Sequence, residues 1–434
     1  MSGANLEFAP GGGGYPATQN TKTAILEIMT GNAPHTQDEV FMQRALTLAT
    51  ETIGLASPNP QVGCVLTKSP PDGGTPKVIG EGAHLYDNRD HAEIVALKQA
   101  ARRGFSTKGA TAYVTLEPCS HHGRTAPCAN ALIAAGIARC VIATQDPNPL
   151  VSGQGIEKLR AANIEITVGV LEQPARDLND AFAHYIRTRT PFVTLKAVLS
   201  SDGKLAPPPA SRFPNQPYWL SGAAALHQVQ LLRRASDAVL TGIGTVLADN
   251  PLLTDRSGMQ NPARSGPTGP NNQPRRRPLL RVILDTRLRT PLDSQLVVTA
   301  DNDLLILCAG TAPAAKINAL TERGAQVEII PSHAGRLSLS AALSTLADRN
   351  ILSVLLECGS HLNGAFLTQN LVDKVVLFHS LTELGSEAIP FAEGITPDQL
   401  EPSLTQVTRT SYGSDQCVTG FLNYPWPPVD TSFA

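Results

Sequence analysis

No stretch of this 434-residue chain holds the roughly 18 consecutive apolar residues that a bilayer-spanning helix needs, so no membrane partner is expected. Basic charge is not in surplus. Lys and Arg number 35 against 37 Asp and Glu, for a net charge of -2. A protein that holds long nucleic acid shows a Lys/Arg excess on at least one domain, so a small substrate is expected and nucleic acid is not. The seven cysteines are odd in number and irregularly spaced, which is no disulfide framework. The expected compartment is therefore the reducing cytoplasm. The start of the chain lacks a basic segment followed by an apolar one, so no secretory signal is expected. Internal repeats are absent. What is present is a globular composition, 42% hydrophobic, on a chain longer than one core usually serves, which predicts two domains.

Residues 1–37, with Gly11–Gly14 and several Asn and Thr, hold little to bury and read as a disordered tail. Beyond them Val40, Met42, Ala45, Leu46 and Ala49 recur at helical spacing. Strands are predicted near Val62–Leu66 and Val78–Gly80, then a helix His91–Arg102, a strand Ala112–Leu116, a helix Pro127–Ala135 stopped by Gly136, and a strand Cys140–Thr144. With a further helix–strand unit over Gly155–Val170, the alternation predicts a three-layer α/β sandwich over residues 38–189. Gln173–Thr190 reads as a linker. The second domain, 190–434, repeats the alternation, with strands expected at Phe192–Leu199, Ala238–Thr241, Leu280–Asp285, Leu304–Cys308, Val327–Ile330, Ser353–Glu357 and Lys374–Ser380. Asp255–Pro278, rich in Pro, Gly, Asn and Arg, reads as a surface insertion, and its Arg275–Arg277 triplet as a solvated face.

The chemistry is concentrated in His91-Ala92-Glu93, Pro118-Cys119 and Pro127-Cys128. One imidazole and two thiolates are three zinc ligands, and an open fourth position distinguishes a catalytic zinc from a structural one. Such an ion brings water towards ionisation at neutral pH. Glu93, two residues from His91 and near the start of the same helix, is placed to carry protons between water and substrate. Cys128 opens a helix, whose N-terminus favours a thiolate. Taken singly, each piece has a plain alternative: a lone His-x-Glu is usually helix surface, and a lone Cys a small buried hydrophobe. A closed structural zinc would take His121 or His122 as its fourth ligand. Three ligand types and an acid/base group in one order make the combination specific.

The pattern is similar to the zinc deaminase signature, except that eight residues rather than two separate the cysteines. That longer loop resembles the deaminase half of the bifunctional deaminase–reductase family of riboflavin biosynthesis. Pro58-Asn59-Pro60-Gln61-Val62-Gly63, the His91 motif, the cysteine loop and Gln145-Asp146-Pro147-Asn148-Pro149 all resemble that family. Lys196-Ala197-Val198-Leu199-Ser200-Ser201-Asp202-Gly203, Thr245-Val246-Leu247-Ala248-Asp249-Asn250-Pro251 and Glu357-Cys358-Gly359 resemble its reductase, in the same order. The resemblance spans roughly residues 38–425. It implies a cytidine-deaminase-like domain with one zinc per chain at His91, Cys119 and Cys128, and Glu93 as proton shuttle. It further implies a dihydrofolate-reductase-like domain that uses NADPH. The implied substrate is a diaminopyrimidinone bearing a phosphoribosylamino group, first deaminated and then reduced to its ribityl form.

For the deaminase, Asn59 is implied to read the pyrimidine. Arg124 offers a planar fork for phosphate with His121 beside it. Asp146 and Asn148, at a strand end, suit ribose hydroxyls, although turn formation between prolines would also account for them. In the reductase the implied cofactor contacts are Lys196, Val198, Trp219, Thr245, Asp249 and the turn Gly359, Ser360, His361, Leu362, Asn363, Gly364 and Ala365. That turn follows a strand and opens a helix, where backbone N–H groups can hold pyrophosphate. Gly242-Ile243-Gly244 is not followed by the glycine that a dinucleotide fingerprint requires. Implied substrate contacts are Arg233, Leu253, Arg256 and Glu357, with the two arginines as phosphate forks. Thr286 and Arg289, after the strand Leu280–Asp285, are expected to recognise the additional phosphate of NADPH, with Arg287 the alternative to Arg289. Two positions depart from the family: Ser57 stands where a His often precedes Pro-Asn-Pro, and Pro217 where a Ser often precedes the Trp. A homo-oligomer is expected. The competing reading is a nucleoside or tRNA deaminase fused to a non-catalytic interaction domain, against which stand the cysteine spacing and the lack of a basic face.

Overall fold

In the first half of the chain, short strands bury neighbouring residues on opposite sides and so demand cover on both faces. The computed structural model describes residues 36–121, 126–212, 218–256 and 277–428. The tail expected over 1–37 and the insertion expected over 255–278 fall almost wholly outside them. The chain runs α1 (Gln37–Thr50), β1 (Gly63–Lys68), β2 (Lys77–Ala83), α2 (Ala92–Arg102), β3 (Thr111–Val114), α3 (Cys128–Ala134), β4 (Arg139–Ile142), α4 (Gln154–Ala161) and β5 (Glu165–Val168). The strand order is β2-β1-β3-β4-β5, with β1 antiparallel to β2 and β3, and β3, β4 and β5 parallel. Cys64 and Leu66, Ala112 and Val114, and Cys140 and Ile142 pack with α2, α3 and α4. The intervening Val65, Tyr113 and Val141 pack with Met42 and Leu46 of α1. This period-two alternation produces the three-layer sandwich.

α2 lies close on β2 because the contact is made of small residues. Ala92, Ala96 and Ala100 are fully buried, and a Cβ on Gly82 would stand 2.2 Å from the Ala92 carbonyl oxygen. This fit fixes the N-terminus of α2, where His91 is the N-cap.

The segment read as a linker, Gln173–Thr190, is instead two helices, α5 (Glu172–Leu178) and α6 (Asp180–Thr188). Both are short, and what they bury is as much charged as apolar: Arg176 and Asp180 beside Ala175 and Ala183. They are held by polar contacts to the far end of the chain. Arg187 donates to the Pro425 carbonyl at 2.6 Å, and Gln173 Nε2 stands 3.3 Å from the Tyr424 hydroxyl.

The second half contains β6 (Phe192–Leu199), β7 (Lys204–Ala206), α7 (Ala223–Ala235), β8 (Ala238–Gly242), α8 (Ile243–Asp249), β9 (Leu280–Leu284), α9 (Gln295–Val298), β10 (Leu304–Cys308), α10 (Ala314–Thr321) and β11 (Gln326–Ile329). There follow β12 (Ser332–His333), β13 (Arg336–Leu337), α11 (Leu339–Asp348), β14 (Ser353–Leu356), α12 (Ser360–Thr368), β15 (Lys374–His379), β16 (Ile389–Pro390), α13 (Pro397–Leu400), β17 (Thr405–Tyr412) and β18 (Asp415–Phe421). The large sheet has the order β11-β10-β9-β8-β14-β6-β15-β18-β17. Strands β11 to β15 in that order are parallel, and the β17–β18 hairpin closes the edge antiparallel. Runs such as Leu304–Cys308, buried at every residue, are what a sheet covered on both faces requires. In such a sheet the carboxyl ends of the strands are the usual place for a ligand.

Candidate active sites

Three elements bring the metal-binding set together. His91 caps α2, Cys119 follows the loop after β3, and Cys128 is the first residue of α3. Their donor atoms all lie within 4.8 Å of one another, the only such cluster of three or more among the described residues. His91 Nδ1 is 3.2 Å from Cys128 Sγ and 3.5 Å from Cys119 Sγ. The Cys128 backbone N–H donates to Cys119 Sγ at 3.3 Å. A hydrogen bond from the Cys128 thiol, above all, draws the Cys119 thiol down, and giving that bond pushes Cys128 up. A divalent cation held here would displace the thiol protons. One imidazole and two soft sulfurs form a donor set that fits zinc with one position left open.

Glu93 sits in the first turn of α2 and is 3% exposed. Burial raises its carboxyl to about 7, His91 pulls the other way, and the Cys119 sulfur adds to the rise. It is hydrogen-bonded to Cys128, so it borders the donor cluster.

Asn59 adjoins this cluster through a residue that had no visible motif. His84 is buried; its Nδ1 lies 2.9 Å from the Asp90 carbonyl and its Nε2 3.0 Å from Asn59 Nδ2. Burial lowers its pKa, so the ring is neutral, Nδ1 donates to Asp90, and Nε2 accepts from the Asn59 amide. The His84 and His91 rings stand edge to face at 5.3 Å. Glu117, buried beside Pro118-Cys119, is a second residue without a sequence signal. It accepts the backbone N–H groups of Asp146, Gly153, Gly155 and Ile156 at 2.8 to 3.3 Å. It thereby fixes the loop that carries Asp146 and Asn148. These two also form turns: Asp146 Oδ1 accepts the Asn148 N–H at 2.9 Å and Asn148 Oδ1 the Leu150 N–H at 3.1 Å. Burial raises the Asp146 carboxyl to about 6. His121 is exposed on the same rim. Arg124 and His122 lie outside the described residues.

A cleft of about 1290 Å³ opens at the carboxyl ends of β8, β9 and β14. Its walls include Lys196, Val198, Trp219, Arg233, Thr245, Asp249, Leu253, Arg256, Thr286, Arg289, Glu357, Gly359, Ser360, His361, Leu362 and Ala365. Of the expected turn 359–365, Asn363 and Gly364 are not in the wall. Asn363 is fully buried and spends its amide on the Phe391 carbonyl at 2.8 Å and the Cys358 thiol at 3.0 Å. A Cβ on Gly364 would stand 2.5 Å from the Glu393 carbonyl oxygen. Both residues shape the turn from behind.

At the cleft floor, burial alone would raise the Glu357 carboxyl, but Lys196 and Arg233 outweigh it and hold it at about 2. Arg233, expected as a phosphate fork, commits Nε and Nη2 to Glu357 at 2.6 and 3.1 Å and Nη1 to the Thr254 carbonyl at 3.1 Å. Arg212, from the proline-rich segment after β7, pairs with Asp249. Trp219 is 62% exposed at the cleft mouth rather than in a core, so its ring face is available for stacking.

Residues 35–144 match the family of the cytidine and deoxycytidylate deaminase zinc-binding region, and residues 191–418 match the RibD C-terminal domain family. The chain is 39% identical over 352 residues to riboflavin biosynthesis protein RibD of Escherichia coli (strain K12), covering 81% of this chain and 90% of that protein. It is also 39% identical over 341 residues to RibD of Aquifex aeolicus (strain VF5), covering 79% and 86%. Among solved structures, Acinetobacter baumannii RibD aligns at a TM-score of 0.69 with 33% identity, over 89% of this chain and 98% of that one. A Thermotoga maritima diaminohydroxyphosphoribosylaminopyrimidine deaminase/5-amino-6-(5-phosphoribosylamino)uracil reductase aligns at 0.70 with 33% identity, over 88% and 97%. The folds of the two halves are those the resemblance implied, cytidine-deaminase-like and dihydrofolate-reductase-like.

Proposed function

The chain belongs to the RibD family of bifunctional riboflavin-biosynthesis enzymes, a zinc deaminase joined to a nicotinamide-dependent reductase, and from that membership we propose how its own residues divide the work. The substrate is 2,5-diamino-6-(5-phosphoribosylamino)pyrimidin-4(3H)-one. The first site replaces its 2-amino group by an oxo group. The second reduces the ribosyl group to ribityl, giving 5-amino-6-(5-phosphoribitylamino)uracil. The deaminase domain is residues 38–189 and the reductase domain 190–434. The enzyme works on this small molecule, not on nucleic acid, as a homo-oligomer in the cytoplasm, where free thiols such as Cys119 and Cys128 stay reduced.

The observation that carries the deaminase reading is the His91, Cys119 and Cys128 cluster with the buried Glu93 against it. Those three residues would hold zinc, which when bound supplies a Lewis acid that makes water nucleophilic near neutral pH. Glu93 takes a proton from that water, passes it to the ring nitrogen, and carries the next to the departing ammonia. Asn59, oriented by His84, reads the ring. Arg124 and His121 take the phosphate, and Asp146 and Asn148 the ribose.

In the cleft NADPH, when bound, would supply the hydride. Gly359, Ser360, His361, Leu362 and Ala365 would hold its pyrophosphate, with Asn363 and Gly364 shaping that turn from behind, and Lys196, Val198, Trp219, Thr245 and Asp249 would flank its remaining length. Thr286 and Arg289 take the additional phosphate. Substrate lies against Leu253, Arg256 and the Arg233–Glu357 pair. Arg233 holds three of its five N–H donors on Glu357 and the Thr254 carbonyl and so orients Glu357, and Arg256 is the phosphate fork.

Glu93→Gln tests the first assignment. The amide keeps every metal ligand but cannot accept the water's proton, so zinc content should be retained while ammonia release falls on the order of 100- to 10,000-fold. A variant that keeps more than about a tenth of normal turnover would remove Glu93 from the proton path.

A further inference from the structure

The helices between the halves reach into the deaminase site. Asn179, at the α5–α6 junction, is 2% exposed. Its Oδ1 accepts the Gln61 backbone N–H at 2.7 Å, and its Nδ2 donates to the Gln61 carbonyl at 3.0 Å and the Ala175 carbonyl at 3.2 Å. Both backbone groups of Gln61, two residues after Asn59, are thereby held by one side chain. The next residue, Asp180, is tied to the other half. It accepts from Lys374 Nζ at 3.1 Å and from Trp426 Nε1 at 3.1 Å. Arg176, one turn earlier, lies with its guanidinium carbon 5.2 Å from a Trp426 ring centroid. Its Nε donates to Thr144 Oγ1 at 3.3 Å. Thr144 immediately precedes Gln145-Asp146 and accepts the Glu117 N–H on its carbonyl at 2.9 Å. Both loops that flank the metal-binding cluster are thus braced by α5 and the start of α6, and both braces lead to Trp426.

We propose that Asn179 is a positioning residue for the deaminase, holding the Asn59 loop in register. Trp426, from the C-terminal segment of the reductase half, completes this brace, so the deaminase recognition loops are built by both halves of the chain. The proposal rests on the reading of Asn59 as the ring-reading residue. The geometry favours a local effect on binding. Asn179 touches neither the metal-binding residues nor Glu93, and its loss frees the Gln61 backbone and the loop bearing Asn59. A contact made equally in ground and transition states raises KM when lost and leaves kcat alone.

The test is steady-state ammonia release by the full-length, zinc-loaded enzyme on the diaminopyrimidinone phosphate, for wild type, Asn179→Ala, Trp426→Phe and Asn59→Ala. Asn179→Ala should raise KM by roughly tenfold, the equivalent of one lost interaction of about 1.4 kcal/mol. Its kcat, zinc content and reductase kinetics should stay close to wild type. Trp426→Phe keeps an aromatic ring, though a smaller one, and drops the N–H to Asp180, and should raise the deaminase KM less but in the same direction. An unchanged deaminase KM in Asn179→Ala, alongside a raised one in Asn59→Ala, overturns the brace while leaving the Asn59 reading intact. An unchanged KM in Asn59→Ala withdraws that reading and this proposal with it. Should Asn179→Ala not fold, Asn179→Asp replaces it. The carboxylate keeps the acceptor for Gln61 and loses both donors, and an unchanged KM there is equally contrary.

Discussion

Arg289 shows how one side chain is brought to a cleft wall by a neighbour. Asp285, fully buried at the end of β9, accepts both the backbone N–H and the hydroxyl of Thr290, at 2.7 and 2.8 Å. That closes the turn and turns Thr286 and Arg289 into the cleft wall. A charge-assisted bond from a guanidinium fork to phosphate is worth about 1.5–3 kcal/mol. Arg289→Ala should therefore weaken NADPH about tenfold or more while barely changing NADH, as read by fluorescence titration with each cofactor. Equal losses for both would mean that the arginine supports the fold. The cluster of His91, Cys119 and Cys128 with Glu93 beside it was legible because side chains of distinct type recur in order and need no structure to be noticed. His84, Glu117 and Asn179 were not, because each acts through bonds to a neighbouring amide or to backbone, and such bonds leave no spacing in a sequence. Asn363 and Gly364 were placed in the cofactor turn by position alone. The structure gives both an inward task, one satisfying Phe391 and the other admitting Glu393.

Elements were legible in proportion to how completely they are buried. The strands Phe192–Leu199 and Leu304–Cys308 appear with the bounds read from their apolar runs. Helices α5 and α6 did not, since much of what they contact is polar and lies more than two hundred residues away, at Tyr424 and Trp426. The edge strand β17 carries Thr, Gln, Arg and Ser with almost every side chain exposed, so no alternation marks it. Close packing of elements makes its own prediction. Gly82→Ala would push a methyl group into the Ala92 carbonyl, now 2.2 Å from where that Cβ would stand. Backbone cannot rotate away as a side chain can, so α2 must shift. Overpacking of this kind costs about 1–3 kcal/mol. The variant should melt several degrees lower by calorimetry and bind zinc less tightly, because His91 caps the displaced helix. An unchanged melting temperature together with full zinc content would show that α2 is not seated by this contact.

At the scale of the whole molecule, two sheets carry two distinct constellations. One is a sulfur–imidazole cluster over the five-stranded sheet, the other an arginine-lined cleft at the carboxyl edge of the nine-stranded one. Contacts of α5 and α6 with Lys374, Pro425 and Trp426 join the two halves. The chemistry links them in sequence, since the product of hydrolysis is the substrate of reduction. A non-catalytic second half would leave the cleft without purpose and the reaction stopped at the first step. The direct measurement is to incubate the zinc-loaded protein with the diaminopyrimidinone phosphate, with and without NADPH, and identify the products by mass. Without NADPH the substrate should exchange the mass of ammonia for that of water and go no further. With NADPH it should gain a hydride and a proton as well, with oxidised cofactor formed in equal amount. Deaminated product that never gains hydrogen in the presence of NADPH, or no ammonia released at all, would contradict the account.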